Sequence, residues 1–417
     1  MSTVPTSHID AARKLLRFAT IYGPGRSLSK AAGRLRIGLP SLPKHRMTPD
    51  IGIIGCGQFA FATIGHVLQR SYGYRIAACY DISVAARDSL ARALHVGSPC
   101  ANVDELLSTP GLRTVYIASN HASHAGYAAA ALRRGLDVYV EKPIAVDHAQ
   151  LAELLRARRD STGRIFAGYN RPFSGAVREL RRELKVDMSG GISLQCFVSG
   201  HKLWPEHWYR RPEEGTRICG NVGHWLDLMV HVLSWRGLPD WLDISLGWAD
   251  ADEPDDNLSI QITSNRGDVF SFMLSSRSEP FEGVNETICF QHGGTICKID
   301  DFRRMSLWQG PRLLRRRYWP KDVGHGRAIL QPYATETPRD WHEIELSTLL
   351  MLHIAEMVRA RQRTSVFSFN EAWAQICCDV SLIPPLAIGV GASERSALDI
   401  LGISALANQH TSAPANA

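Results

Sequence analysis

The stretch IGIIGCGQFA, residues 51–60, runs from a short apolar strand through a glycine turn into a helix. Ile51, Ile53 and Ile54 leave no polar face, the mark of a strand covered on both sides in a parallel sheet. Gly55 permits the tight turn, Gly57 lets the backbone approach a pyrophosphate, and Ala60 allows close helix–strand packing. Gln58 and Phe59 open the helix whose free N–H groups then face the phosphates. A G-x-G-x-x-A motif is short, and its surroundings decide its meaning. The next strand, YRIAACYD, ends on Asp81. A carboxylate there accepts hydrogen bonds from the adenosine ribose and repels a 2′-phosphate, which favours NAD over NADP. Asp81 also suits a helix N-cap, a task Ser83 could take instead, and Arg87 nearby could accommodate a phosphate.

Outward from this unit the pattern repeats. SVAARDSLARAL is a helix, TVYIASN a strand, HAGYAAAALRRG a helix, LDVYVEKP a strand, and DHAQLAELLRARRDSTG leads helically into RIFAGYN. Strands alternating with helices predict a doubly wound parallel sheet. After about residue 170 the pattern changes to successive strands, which predict an antiparallel sheet. The chain divides into a basic arm (1–48), a dinucleotide-binding Rossmann domain (49–168), a substrate and oligomerisation domain (169–405), and a small polar tail (406–417). The fold class is thus α/β Rossmann plus an α+β domain with an open, mostly antiparallel sheet.

Composition sets bounds. The 417 residues are 45% hydrophobic and 21% charged, as in globular proteins. No apolar run reaches the roughly 20 residues that span a bilayer. The nine cysteines are scattered, without CxxC pairs, which argues for a cytoplasmic setting and against a metal site. Nine Lys or Arg stand against Asp10 alone in residues 1–48, and PRLLRRRYWPK (311–321) is a second basic run. No nucleic-acid module accompanies them, so both read as solvated segments.

Ligands of a doubly wound sheet sit beyond the carboxyl ends of its strands. Asn120, His121 and His124 in IASNHASHA, and Glu141 and Lys142 in YVEKPIA, converge there. IGIIGCGQFA, IASNHASHAGYAAAALRRGLDVYVEKPIA and AGYNRPFS, in this order, resemble the Gfo/Idh/MocA family of oxidoreductases over roughly residues 50–390. The resemblance implies a dinucleotide held between the two domains, with Lys142 touching both substrate hydroxyl and nicotinamide ribose. Pro143 fixes the backbone behind it. It implies His224 in HWLD (224–227) as general acid/base, its pKa near working pH, with Asp227 three residues on to orient the imidazole or support the site. Asn170 and Arg171 of GYNRPFS match the interdomain junction, beside nicotinamide or substrate.

Many members carry Asp four residues before this histidine; here it is Gly220. EEGTRICGNVGHWLDL resembles a branch reading G-R-I-x-G-E-x-C-H-F-x-D, with Asn221 in place of its Glu. Arg217 and Asn221 become substrate candidates. Trp204, His207, Trp208 and Tyr209 are a dense aromatic group suited to stacking on a sugar ring. Arg210, Arg211 and Arg217 suggest a diphosphate.

The resulting expectation is an NAD-dependent oxidoreductase acting on a hydroxyl of a sugar or nucleotide-sugar, assembled as a homodimer or homotetramer. Two alternatives share the fold: a glycosidase or lyase with an internal redox cycle, and a dinucleotide-binding regulator without turnover.

Overall fold

The computed structural model describes residues 8–38, 48–278, 280, 283–335 and 338–382. The expected tail at 406–417, and parts of the arm and of the second domain, lie outside these residues. The described residues as far as Val380 pack as one unit.

The arm forms two helices, α1 (His8–Tyr22) and α2 (Pro24–Leu35). Strands β1 (Ile51–Ile54), β2 (Ile76–Tyr80), β3 (Ser98–Pro99), β4 (Thr114–Ile117), β5 (Asp137–Val140) and β6 (Ile165–Ala167) follow. They form a parallel sheet in the order β3-β2-β1-β4-β5-β6. Helices α3 (His66–Tyr72), α4 (Val84–Leu94), α5 (Val103–Leu107), α6 (His124–Leu132) and α7 (His148–Arg159) cover its faces, and a π-helical segment (Ala60–Gly65) leads into α3. The order reverses between β1 and β4, so the crevice expected for a ligand opens beside the Gly55 turn.

The second sheet has nine strands: β7 (Ile192–Ser199), β8 (Leu242–Trp248), β9 (Asn257–Ser264), β10 (Val269–Ser275), β11 (Asn285–His292), β12 (Thr295–Asp300), β13 (Arg304–Gln309), β14 (Arg312–Arg317) and β15 (Thr364–Phe367). Their order is β14-β13-β12-β11-β7-β10-β9-β8-β15, antiparallel except for β7 beside β10. Burial alternates strictly along β7, as expected of a sheet with one covered face. Helices α8 (Gly175–Glu183), α9 (Gly223–Ser234), α10 (His325–Ile329), α11 (Trp341–Arg359) and α12 (Phe369–Leu382) complete the order. Hydrophobic α9 is buried on nearly every side.

Two readings of the basic segments are corrected. Residues 312–317 are an edge strand rather than a loop, paired with β13. The arm is docked rather than solvated: Ile21, Ser27, Ser29 and Ala32 are buried. Ser29 Oγ donates to Ala62 O at 3.1 Å, Trp319 Nε1 to Thr20 O at 2.9 Å, and Lys321 N–H to Ile21 O at 2.8 Å. The arm therefore ties the helix after the glycine turn to the 319–325 segment of the second domain.

Candidate functional site

At the end of β1 the chain turns through Gly55 at φ +87°, and a Cβ there would lie 2.5 Å from the Ala118 and Ser119 backbone. Only glycine accepts both the left-handed backbone and that approach. A Cβ on Gly57, by contrast, would meet no atom within 4 Å. The turn thus has open space above it, before a helix start, as a pyrophosphate requires. Asp81 Oδ2 accepts the Cys56 N–H at 2.6 Å, and its Oδ1 accepts the Ser83 N–H at 2.8 Å. Ser83 also caps α4, with Oγ accepting from Ala86 N–H at 3.3 Å. The cap of α4 therefore belongs to Ser83 rather than to Asp81. Arg87 points away, to Asp88 and to Cys100 O.

Beyond β5 the peptide bond before Pro143 is cis. Lys142 Nζ donates to Gly220 O at 2.7 Å, across the gap between the two domains. Gly220 lies one helical turn before His224, whose Nδ1 is buried without a partner among the described residues. Burial, then the charges of Arg171 and Lys142, press His224 well below the usual histidine range. It is therefore neutral at neutral pH and available as a proton acceptor, where the sequence suggested titration near working pH. Asn221 Oδ1 is a second buried acceptor with no partner among the described residues. These unpartnered atoms fit a polyol whose hydroxyls would pair with them.

Glu141 faces the other way. Its Oε1 accepts from Tyr139 Oη at 2.8 Å, and burial raises it to about 7. It lies under the turn rather than against the gap. His124 is also internal: its Nδ1 lies 2.7 Å from Pro143 O and its Nε2 3.2 Å from Ser119 O, and the neutral ring donates its one N–H to one of these carbonyls. Burial lowers it to about 4.

Partners remote in sequence hold five other candidates. Asp227 does not meet the imidazole; it pairs with Arg339 Nη1 at 2.7 Å and accepts from Ser347 Oγ at 3.0 Å. Asn170 is wholly buried, donating to Val323 O at 2.6 Å and accepting from Arg171 at 2.8 Å. Arg171 forks onto Glu286 at 2.6 and 3.2 Å. Arg217 is 1% exposed and held by Asp256 at 3.0 Å and by His201 O at 2.8 Å. Arg210 meets Glu253 and Asp256, so both guanidiniums are held by carboxylates, while Arg217 Nε is buried without a partner among the described residues.

Trp208 and Tyr209 pack on His121, with ring centroids 4.6 and 4.8 Å away. A Cβ on Gly220 would lie 2.6 Å from the Tyr209 ring and 2.9 Å from His121. The room that an aspartate would need at that position is filled by these two rings. Sequence reasoning missed Glu214, which is 3% exposed. Its carboxylate accepts from Asn120 Nδ2 at 2.8 Å and Ala122 N–H at 3.2 Å, and its carbonyl meets His121 Nδ1 at 3.0 Å. It locks the second domain to the loop after β4. Only its place in EEG, beside the Arg217 helix, could have flagged it.

Residues 50–169 match the model of the GFO_IDH_MocA family, described as an oxidoreductase family with an NAD-binding Rossmann fold. Inositol 2-dehydrogenase of Ralstonia nicotianae is 26% identical over 202 residues, 47% of this chain and 56% of that protein. The counterpart from Pseudomonas savastanoi pv. phaseolicola is 28% identical over 205 residues, 48% and 58%. The chain thus spans little more than half the length of these curated relatives. Among solved structures, UDP-N-acetylglucosamine 3-dehydrogenase of Acidithiobacillus ferrooxidans superposes with a TM-score of 0.62 at 16% identity, covering 76% of this chain and 100% of that one. Levoglucosan dehydrogenase in complex with NADH gives 0.63 at 14%, covering 77% and 99%. Both likenesses bear on the fold. No helix among the described residues is long and apolar enough to cross a membrane.

Proposed function

From the premise that this chain, through residues 50–169, belongs to the Gfo/Idh/MocA oxidoreductases, we propose that it is an NAD-dependent dehydrogenase acting on a secondary hydroxyl of a sugar, polyol or nucleotide-sugar. One observation carries the reading. Lys142 Nζ reaches Gly220 O at 2.7 Å, one turn before a histidine whose Nδ1 is buried and unpartnered. An ammonium beside a neutral imidazole suits an alcohol that must lose its proton. Lys142 donates to the hydroxyl oxygen and stabilises alkoxide character as His224 accepts the proton. Asn221 Oδ1 accepts from a neighbouring hydroxyl, and Trp208 offers an aromatic face. The Gly55–Ala60 turn and Asp81 would hold the dinucleotide. Bound there, its nicotinamide supplies the hydride acceptor or donor.

The test begins with mass spectrometry of the purified protein and titration with NADH followed by fluorescence. A panel of inositols, sugars and nucleotide-sugars is then assayed for reduced nicotinamide. Lys142→Ala and His224→Ala should abolish turnover and leave NADH affinity within about tenfold of wild type. If both variants retain full turnover, the assignment of the proton-handling pair is wrong. A second reading, a regulator that binds dinucleotide without turnover, draws on the filled space at Gly220. Product formation separates the two, and product without net reduced nicotinamide would indicate an internal redox cycle.

The open face of the nine-stranded sheet holds a concavity of about 490 Å³ beside Gln195, Val269, Ile296 and Trp308. Phe197, Met273, Ile296 and Trp308 are exposed on it. Such a face suits pairing with a second copy. Sedimentation at micromolar concentration should give a dimer or tetramer, and monomer alone would refute this.

A further inference from the structure

The arm brings a cation to the ribose end of the dinucleotide site. Arg36 closes α2 with a left-handed backbone, φ 57° and ψ 38°, an unusual conformation for a long side chain. That turn sends its guanidinium back over the glycine motif. Nη2 donates to Cys56 O at 3.0 Å and to Ala86 O at 2.6 Å, and Nε donates to Ser89 Oγ at 2.8 Å. The guanidinium also lies 4.6 Å from the Phe61 ring centroid. Cys56 is the same residue whose N–H binds the Asp81 carboxylate at 2.6 Å. Cation and carboxylate thus flank one residue of the turn. Nη1, with two N–H groups, makes no hydrogen bond to the described residues.

The reading of Asp81 as an NAD determinant assumes that its charge stands alone against a 2′-phosphate. Here it does not. Both carboxylate oxygens accept backbone N–H groups, and the Arg36 guanidinium lies near enough to interact electrostatically with Asp81. Ser83 Oγ accepts from Ala86 N–H, which leaves its own O–H free to donate. Resting on the dinucleotide reading above, we infer that Arg36 and Ser83 build a 2′-phosphate subsite beside Asp81, so that this chain takes NADP(H) as well as NAD(H). A planar guanidinium with two donors unpaired among the described residues suits a phosphate. The selectivity determinant would then come from the appended arm rather than from the Rossmann domain, whose Arg87 is turned to Asp88 and Cys100 O.

The experiment is fluorescence titration of the full chain with NADH and with NADPH, for wild type, Arg36→Ala and Arg36→Lys. Wild type should bind the two with dissociation constants within about tenfold of each other. Arg36→Ala should weaken NADPH by about tenfold or more and leave NADH within about threefold. Arg36→Lys, which keeps charge and loses the fork, should fall between. Equal weakening of both nucleotides would make Arg36 a strap for the turn and overturn the inference. A wild-type preference for NADH above about a thousandfold would overturn it too. Binding of neither nucleotide overturns the dinucleotide reading itself, and this inference with it. Should Arg36→Ala fail to fold, displacement of NADH from wild type decides. Adenosine 2′,5′-bisphosphate should then compete as well as 5′-AMP. Competition by 5′-AMP alone would refute the subsite.

Discussion

Two buried groups, Glu141 and His224, respond to pH in opposite ways. Glu141 rises to about 7 because burial penalises its charge. Between pH 4.5 and about 7 the native chain holds this proton and the unfolded chain loses it, so stability falls as pH rises through that window. The shift corresponds to about 3 kcal/mol. Glu141→Gln keeps the acceptor for Tyr139 Oη and should raise the melting temperature at pH 8, with little change at pH 4. Equal shifts at both pH values would mean that the carboxyl is not protonated in the fold. His224, pushed down by burial and neighbouring cations, stays neutral well below pH 6.5. The kcat/KM profile should therefore hold its value down to pH 6, with the acid limb below the ordinary histidine range. Loss of activity centred near 6.5 would contradict a base of this kind. Lys142 and His224 could be named as candidates because a strand end and a helical motif single them out locally. Asp227, Asn170, Arg171 and Arg217 were misread for the opposite reason. Their partners Arg339, Val323, Glu286 and Asp256 are remote in sequence, and these pairings engage most of the polar atoms that made them attractive.

The elements carry their own constraints. Where the π-helical segment at Ile218–Val222 runs into α9, Gly220 faces Tyr209 and His121 with no room for a Cβ. Gly220→Asp should lower the melting temperature by the equivalent of about 1–3 kcal/mol, the usual cost of overpacking. Adding Tyr209→Ala to it should recover part of that loss. An unchanged melting temperature would show that the rings yield freely. The buried Asp227–Arg339 pair joins α9 to the start of α11. Arg339→Ala leaves the Asp227 carboxylate in the core with Ser347 Oγ but without its cation, and should cost about 3–5 kcal/mol in denaturant unfolding. A cost below about 1 kcal/mol would mean that water reaches Asp227. Most strands were readable because their apolar residues alternate or cluster. TICKIDDFRRMSLW, residues 295–308, runs through two strands, β12 and β13, separated by a turn in which Asp301 and Phe302 take φ 51° without glycine. β14 hid because an edge strand exposed along most of its length needs no apolar pattern.

At the scale of the whole molecule, the arm was the largest surprise. Its composition suggested solvation, because the contacts that hold it come from distant segments. Gly33 sits against Ala62 so closely that a Cβ would lie 2.8 Å from that methyl. Gly33→Leu should lift the arm. Limited trypsin digestion should then cut within residues 13–36 faster than in wild type, with the remainder intact by mass. Unchanged digestion would show that the arm adjusts without releasing. The same contacts impose an order on synthesis. The bonds of Thr20 and Arg26 to Trp319 and His325 each span 299 residues. A ribosome releases the arm first, and the arm can rest early on the helix that follows the glycine turn. Its remaining partners do not yet exist. For most of translation the nascent chain holds one half of a clasp, and the clasp shuts only when residues 319–325 emerge.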